Sequence, residues 1–209
     1  MGQQYAFQLC FPRGHASDVL RATAAFAEPV GERRVALPDG ERLVLPFTVG
    51  LESGETTVET GRWTMFDTSL WLPMDGAVRG YLDETAADLR AAGDEGWTAR
   101  LRQGDSGEEA AIGYVYLTVG LGVRYALFTF SAATSNMSRL FYASEAVRGR
   151  FARLLEAHGG LRGLLDLEWS LFPLLTARGA YVLLDEGVLR EAGPDGWVEA
   201  ALAAPVHTG

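Results

Sequence analysis

The sequence predicts an α+β protein in which antiparallel or mixed sheets are packed by helices, and three features of the 209-residue chain lead there. Tyr5, Phe7, Leu9 and Phe11 alternate at the period of a strand. Val78, Leu82, Thr85, Leu89 and Ala92 recur at helical spacing behind Asp75. Two long apolar runs flank Gly120-Leu121-Gly122, as the arms of a buried hairpin would. With 48% hydrophobic and 22% charged residues, the chain has the material for a real core.

Taken in order, Tyr5 to Phe11 is a strand, and Ser17 to Ala27 is a helix with Ser17 as N-cap and Pro29 as its stop. Val35 to Leu37 and Leu43 to Phe47 are strands joined at Pro38-Asp39-Gly40, because proline presets φ and glycine accepts a positive φ. Residues 51–61 read as a loop or weak edge strand, and Trp63 to Leu72 as a strand. The helix capped by Asp75 closes at Gly93, and Trp97 to Arg102 is a short strand. This order, β-α-β-β-β-α-β, comes close to a ferredoxin-like unit with one extra strand.

Beyond the acidic loop at 103–109, Ile112–Val119 and Val123–Ser131 are strands apolar on both faces, hence central in a sheet covered on both sides. A helix bearing Leu140, Val147, Phe151, Leu154, Leu155 and His158 ends at Gly159-Gly160, and a second helix spans Leu161 to Phe172. Ala180–Leu184 is a strand, and Trp197–Leu202 an edge strand or a short helix. Two organisations fit: one body over 1–209, or two ferredoxin-like units at 1–103 and 110–209 echoed in Tyr5-Ala6-Phe7 and Tyr125-Ala126-Leu127.

Composition narrows the function. All 18 basic residues are arginine, which removes a lysine Schiff base, a P-loop lysine and a Ser-Lys pair. The net charge of −9 repels a phosphate backbone, so a cationic partner fits better than nucleic acid. One cysteine, Cys10, excludes an internal disulfide or a cysteine cluster, and the histidines are scattered, so neither metal nor cofactor is expected. The N-terminus has no positive n-region, and Ala6 replaces the Ser/Thr that a myristoylation motif at Gly2 wants. Arg124 interrupts the one apolar stretch long enough to span a bilayer, at a cost of about 2.5–3.5 kcal/mol on insertion scales. A cytoplasmic protein without a membrane span is therefore expected.

No nucleophile elbow, zincin, Walker or EF-hand pattern is present. Four residue groups remain. Glu168 falls on the apolar face of the expected 161–172 helix, and if that face meets the preceding helix, His158 and Glu168 form a buried acid/base pair; otherwise Glu168 pairs with a core arginine such as Arg124 and His158 caps its helix, or the segment is a strand that turns Glu168 to solvent. The loop holding Ser131, Thr134, Ser135, Asn136, Ser138 and Arg139 lies between a strand and a helix, where hydroxyls and free N–H groups bind polar ligands, or where Ser135 or Ser138 merely caps the helix. Residues 83–109 hold eight carboxylates against three arginines, a net −5, with Asp83, Glu84, Asp88, Glu108 and Glu109 as candidate partner-binding groups. Arg148, Arg150, Arg153 and Arg162 make a basic cluster that reads as a solvated face. The expectation leans away from an enzyme: a protein-interaction module of toxin-neutralising or regulatory type, the rival being a small-molecule enzyme or binding protein with a pocket near Glu168, His158 and the 131–139 loop.

Overall fold

The N-terminal strand does not stay in the N-terminal half. In a computed structural model, which describes residues 5–50, 54–98, 101–167, 171–174, 180–184 and 193–208, β1 (Ala6–Pro12) pairs antiparallel with β9 (Tyr125–Ala132) on one side and β10 (Arg162–Asp166) on the other. The main sheet continues through β8 (Glu109–Leu121), β6 (Arg62–Pro73) and the edge strand β2 (Ala27–Glu28). Beyond β10 it runs to β11 (Leu171–Pro173), β12 (Ala180–Val182) and β13 (Val206–Thr208). A short β7 (Leu101–Gln103) lies on β8 where β9 has ended. The α+β class holds, but the strand order interleaves the two halves of the chain instead of setting two ferredoxin-like units side by side.

Alternation along β1 sorts residues to the two faces of the sheet. Phe7, Leu9 and Phe11 enter the large core with Phe128, Phe130, Leu117, Phe66 and Leu70. That inner face is covered by α1 (Ala16–Ala25), α4 (Ser135–Ala143) and α5 (Glu145–Ala157). Phe7 stacks on Phe151 of α5 at 4.1 Å between ring centroids and tilts against Phe141 of α4 at 4.8 Å. A second small sheet of β3 (Arg33–Ala36), β4 (Arg42–Leu45) and β5 (Glu55–Thr57) closes the same core with Val35, Leu43 and Leu45. The outer face carries Cys10, Leu127 and Leu164, packed under Trp197, Val198 and Ala201 of α6 (Pro194–Ala203).

β8 keeps its apolar side inward along its whole length through one irregularity. Ser69 pairs with Tyr114, yet Trp71 pairs with Ala111, so β8 has one residue more than β6 between these pairs. Gly113, at φ 107°, supplies it, and both Ile112 and Val115 face the core as a result. The outer side of β8 and β9 is less covered than their sequence predicts: Tyr116, Thr118, Thr129 and Ser131 are half-buried.

Other expectations shift for local reasons. The segment from Leu161 is not a helix: residues 162–166 form β10, because leucine-rich runs this short fit a buried strand as well as a helix, and pairing with β1 decides. The helix expected through His158 is two helices broken at Ser144, whose hydroxyl accepts the Val147 N–H at 3.1 Å and starts α5 anew. A 3-10 turn at Arg13–His15 leads into α1, so the chain is already helical at Ser17. A helical turn, α3 (Glu95–Thr98), replaces the start of the strand expected at Trp97. Among the described residues, no helix is long and apolar enough to cross a membrane, and the apolar stretch around Arg124 is the β8–β9 hairpin.

The β3–β4 turn is as expected. Gly40 donates to the Leu37 carbonyl at 3.0 Å, Asp39 accepts the Glu41 N–H at 3.0 Å, and Gly40 sits at φ 89° with open space where a Cβ would go. Gly40→Val therefore meets only conformational resistance, and its denaturation midpoint should fall by the equivalent of about 1 kcal/mol or more. An unchanged midpoint in urea would refute the positive-φ requirement.

Candidate functional site

The acidic helix α2 (Gly76–Ala92) is positioned by one carboxylate. Asp75 caps it, accepting the Val78 N–H at 3.0 Å, and the same side chain accepts the Ser144 hydroxyl at 2.7 Å and the Ala146 N–H at 3.3 Å. Asp75 thus ties the N-termini of α2 and α5 together, where both helix dipoles favour a negative charge. Burial alone would raise its carboxyl, but the N–H groups of Val78, Ala146 and Ala77 and the Ser144 hydroxyl outweigh that and hold it below the usual range. Further along, the Tyr81 hydroxyl donates to the Ile112 carbonyl beside the β8 bulge at 3.2 Å. Burial raises the Tyr81 phenol, while Thr85 and Thr134 partly oppose it. Gly93 ends the helix in the left-handed conformation at φ 69°.

With Val78 fixed inward, Asp83, Glu84 and Asp88 stand exposed on the outer side of α2. None of the three joins an ion pair among the described residues. Several exposed or half-exposed carboxylates elsewhere are matched by arginine: Asp18 and Glu41 with Arg21, Glu55 with Arg42, Glu59 with Arg62 and Glu199 with Arg124. Glu108 is exposed, and its carbonyl accepts the Met74 N–H at 2.7 Å, which sets the acidic loop at the start of α2. Asp83 is about 12 Å further along the helix axis, so Glu108 joins its field at low salt and is largely screened from it at physiological salt. Glu109 leaves the set: it is half-buried and paired with Arg150, whose guanidinium lies 5.2 Å over the Phe26 ring. Arg150 is accordingly no solvated arginine either, and Arg162 lies on β10, away from Arg148 and Arg153 on α5.

The 131–139 loop separates its hydroxyls. Ser131, next to last in β9, lies on the outer face, level with Ala6 of β1 and Tyr116 of β8. Thr134 is the N-cap of α4, accepting the Met137 N–H at 3.3 Å, so neither Ser135 nor Ser138 has that role. Ser138 is buried on the inner side and accepts the Tyr5 N–H at 3.0 Å. Ser135 is half-buried in the first turn, and Asn136 and Arg139 are exposed. These groups do not converge on one cavity.

His158 is the C-cap of α5, and its carbonyl lies 2.8 Å from Nδ1 of His15. Glu168 lies outside the described residues. The premise that joined the two is gone, since β10 occupies the place of the helix whose face was to carry Glu168. Cys10 is fully buried in the small outer core, and burial pushes its thiol up to about 12 against the pull of Arg162.

Three polar features escape sequence reading. Glu28, on β2, is 3% exposed and takes its cation from Arg102 of β7 across the sheet. Gln8 donates to Asp166 at 3.2 Å while its own Oε1 is buried without a hydrogen-bond partner. Asp195 accepts the N–H groups of Val123, Arg124 and Tyr125 at 2.6, 3.1 and 2.9 Å, so α6 is anchored on the β8–β9 turn. None has a local signal, because each partner is tens of residues away. Among the described residues, no three His, Cys, Asp or Glu side chains gather to hold a metal ion. The chain matches no protein family, no curated protein and no solved structure.

A carboxylate held below its unfolded value, about 3.9 for Asp, stabilises the fold above that value and loses the contribution as pH falls through the folded one. For Asp75 the loss falls below about pH 4. Asp75→Ala should cost about 1–2 kcal/mol at pH 7, as lost caps do, and urea titrations should show the wild-type advantage shrinking as pH drops below about 4. An advantage independent of pH would refute the clasp.

Proposed function

We propose that this protein is a non-catalytic interaction module that binds a cationic protein through the exposed acidic side of α2. The observation that carries this reading is the uncompensated acid: Asp83, Glu84 and Asp88 face solvent without an ion pair among the described residues, in a protein whose other surface carboxylates are often matched to arginine. Such a field raises the encounter rate with a basic surface, and arginines or lysines of the partner would supply the missing counter-charges. The mode is that of toxin-neutralising and regulatory proteins, in which steering contributes to speed and complementarity to choice.

A small-molecule reading has one observation in its favour. The buried, unpartnered Oε1 of Gln8 lies on the half-covered outer face near the half-buried hydroxyl residues Thr129, Thr118 and Tyr116. A ligand donating a hydrogen bond there would raise the melting temperature in a metabolite panel, and Gln8→Leu would abolish the rise.

For the acidic side of α2, Asp83, Glu84, Asp88 and Glu108 are replaced together by amides. Wild-type protein should capture basic proteins from lysate at low salt and release them at high salt, with association faster by roughly tenfold or more at low than at physiological salt. The amide variant should keep its melting temperature and lose the capture. Equal capture by both proteins would move binding away from α2.

A further inference from the structure

The two hydrophobic cores lie on opposite faces of the main sheet and differ greatly in extent. The inner core takes in α1, α4, α5 and most strands, whereas among the described residues the outer core comprises Cys10, Leu127, Leu164, Leu171 and Val182 under Trp197, Val198 and Ala201, with Tyr125, Leu184 and Ala204 at its margin. Proteins open locally at a cost set by the contacts of the opening unit, so a small core on one helix is the weaker unit.

Polar latches hold that helix at both ends. At its N-terminus Asp195 takes the three N–H groups of the β8–β9 turn, and Glu199 one turn later pairs with Arg124 of the same turn. At its C-terminus the Arg162 guanidinium reaches the carbonyls of Ala201, Leu202 at 3.2 Å and Ala204 at 3.1 Å, the acceptors a helix end leaves unsatisfied. The strand that follows, β13, pairs with β12, and among the described residues β12 meets β11 at Leu171–Val182.

Cross-strand register shows what lies beneath. Arg162, Cys10, Leu127, Gly120 and Trp63 form one row across β10, β1, β9, β8 and β6 on the outer face. A Cβ at Gly120 would overlap the Trp63 ring, so the indole lies directly on that glycine, and Trp63 is 45% exposed. The row is thus apolar from the covered Cys10 to the open Trp63, with α6 over one end.

We infer that α6 is a latched strap that opens as a unit while the inner core stays folded, extending the exposed apolar row from Trp63 to Leu127 and Cys10. Asp195 and Glu199 set how often it opens.

Cys10 is a built-in reporter, being the sole cysteine and lying under α6. Its rate of labelling by a disulfide reagent is measured on the full chain across low urea, beside the global urea transition and the rate for the unfolded chain. Strap opening predicts wild-type labelling that is faster than global unfolding allows and nearly flat in low urea. Asp195→Ala should speed it by roughly tenfold or more, since each charge-assisted hydrogen bond lost is worth more than a neutral one, and Glu199→Gln by less. Phe151→Leu, which loosens only the inner core, should lower the global midpoint and leave labelling in water unchanged. Labelling that follows the global transition in wild type and shifts with Phe151→Leu as global stability does would overturn the inference. The wild-type urea dependence decides even if Asp195→Ala fails to fold.

Discussion

Everything on the inner side depends on the insertion of β1 between β9 and β10. The pairing lays Phe7 against Phe151 and Phe141, Phe11 edge-on to Phe128 at 5.6 Å, and Leu9 in the same core. It also sends Gln8 and Cys10 to the other face, since strand side chains alternate. A one-residue slip of β1 would exchange these sets, burying Gln8 among phenylalanines and turning Phe7, Leu9 and Phe11 to the outer side, so the register is strongly specified. The helices then inherit their places: α5 from Phe151, α4 from Phe141, and α2 from the Asp75 carboxylate that joins it to α5.

Arginine fills structural roles that lysine could not share. Arg162 spans three carbonyls at a helix end, Arg33 is buried and donates to Gly54 and Val49, and Arg150 pairs with Glu109 while lying over Phe26. Each use depends on a planar fork with several donors or on a flat face that stacks. The acid left over after these pairings is what gives α2 its field.

Local signals are legible in the sequence and long-range ones are not. The strand at Phe7, the Pro38-Asp39-Gly40 turn, the Asp75 cap and the Gly93 stop are set by neighbours a few residues away, and they stand where their chemistry puts them. The chain after Leu161 departs from its expected helix because Leu164 and Leu165 fit either period, and only the partner strand settles it. Of the candidate site residues, the exposure of Asp83, Glu84 and Asp88 follows from helical spacing, whereas the withdrawal of Glu109 rests on an arginine 41 residues away. Thr134 takes the cap from its serine neighbours through a choice of helix start that composition does not encode.

During synthesis the partners of β1 arrive late. Phe11 pairs with Ala126, so translation must proceed through more than a hundred further residues before the strand meets β9, and longer before β10. At about 5–20 residues per second this leaves an apolar strand without its partners for roughly 6–25 s. A nascent chain in that state keeps Phe7, Leu9 and Phe11, which later fill the core, without the strands that cover them.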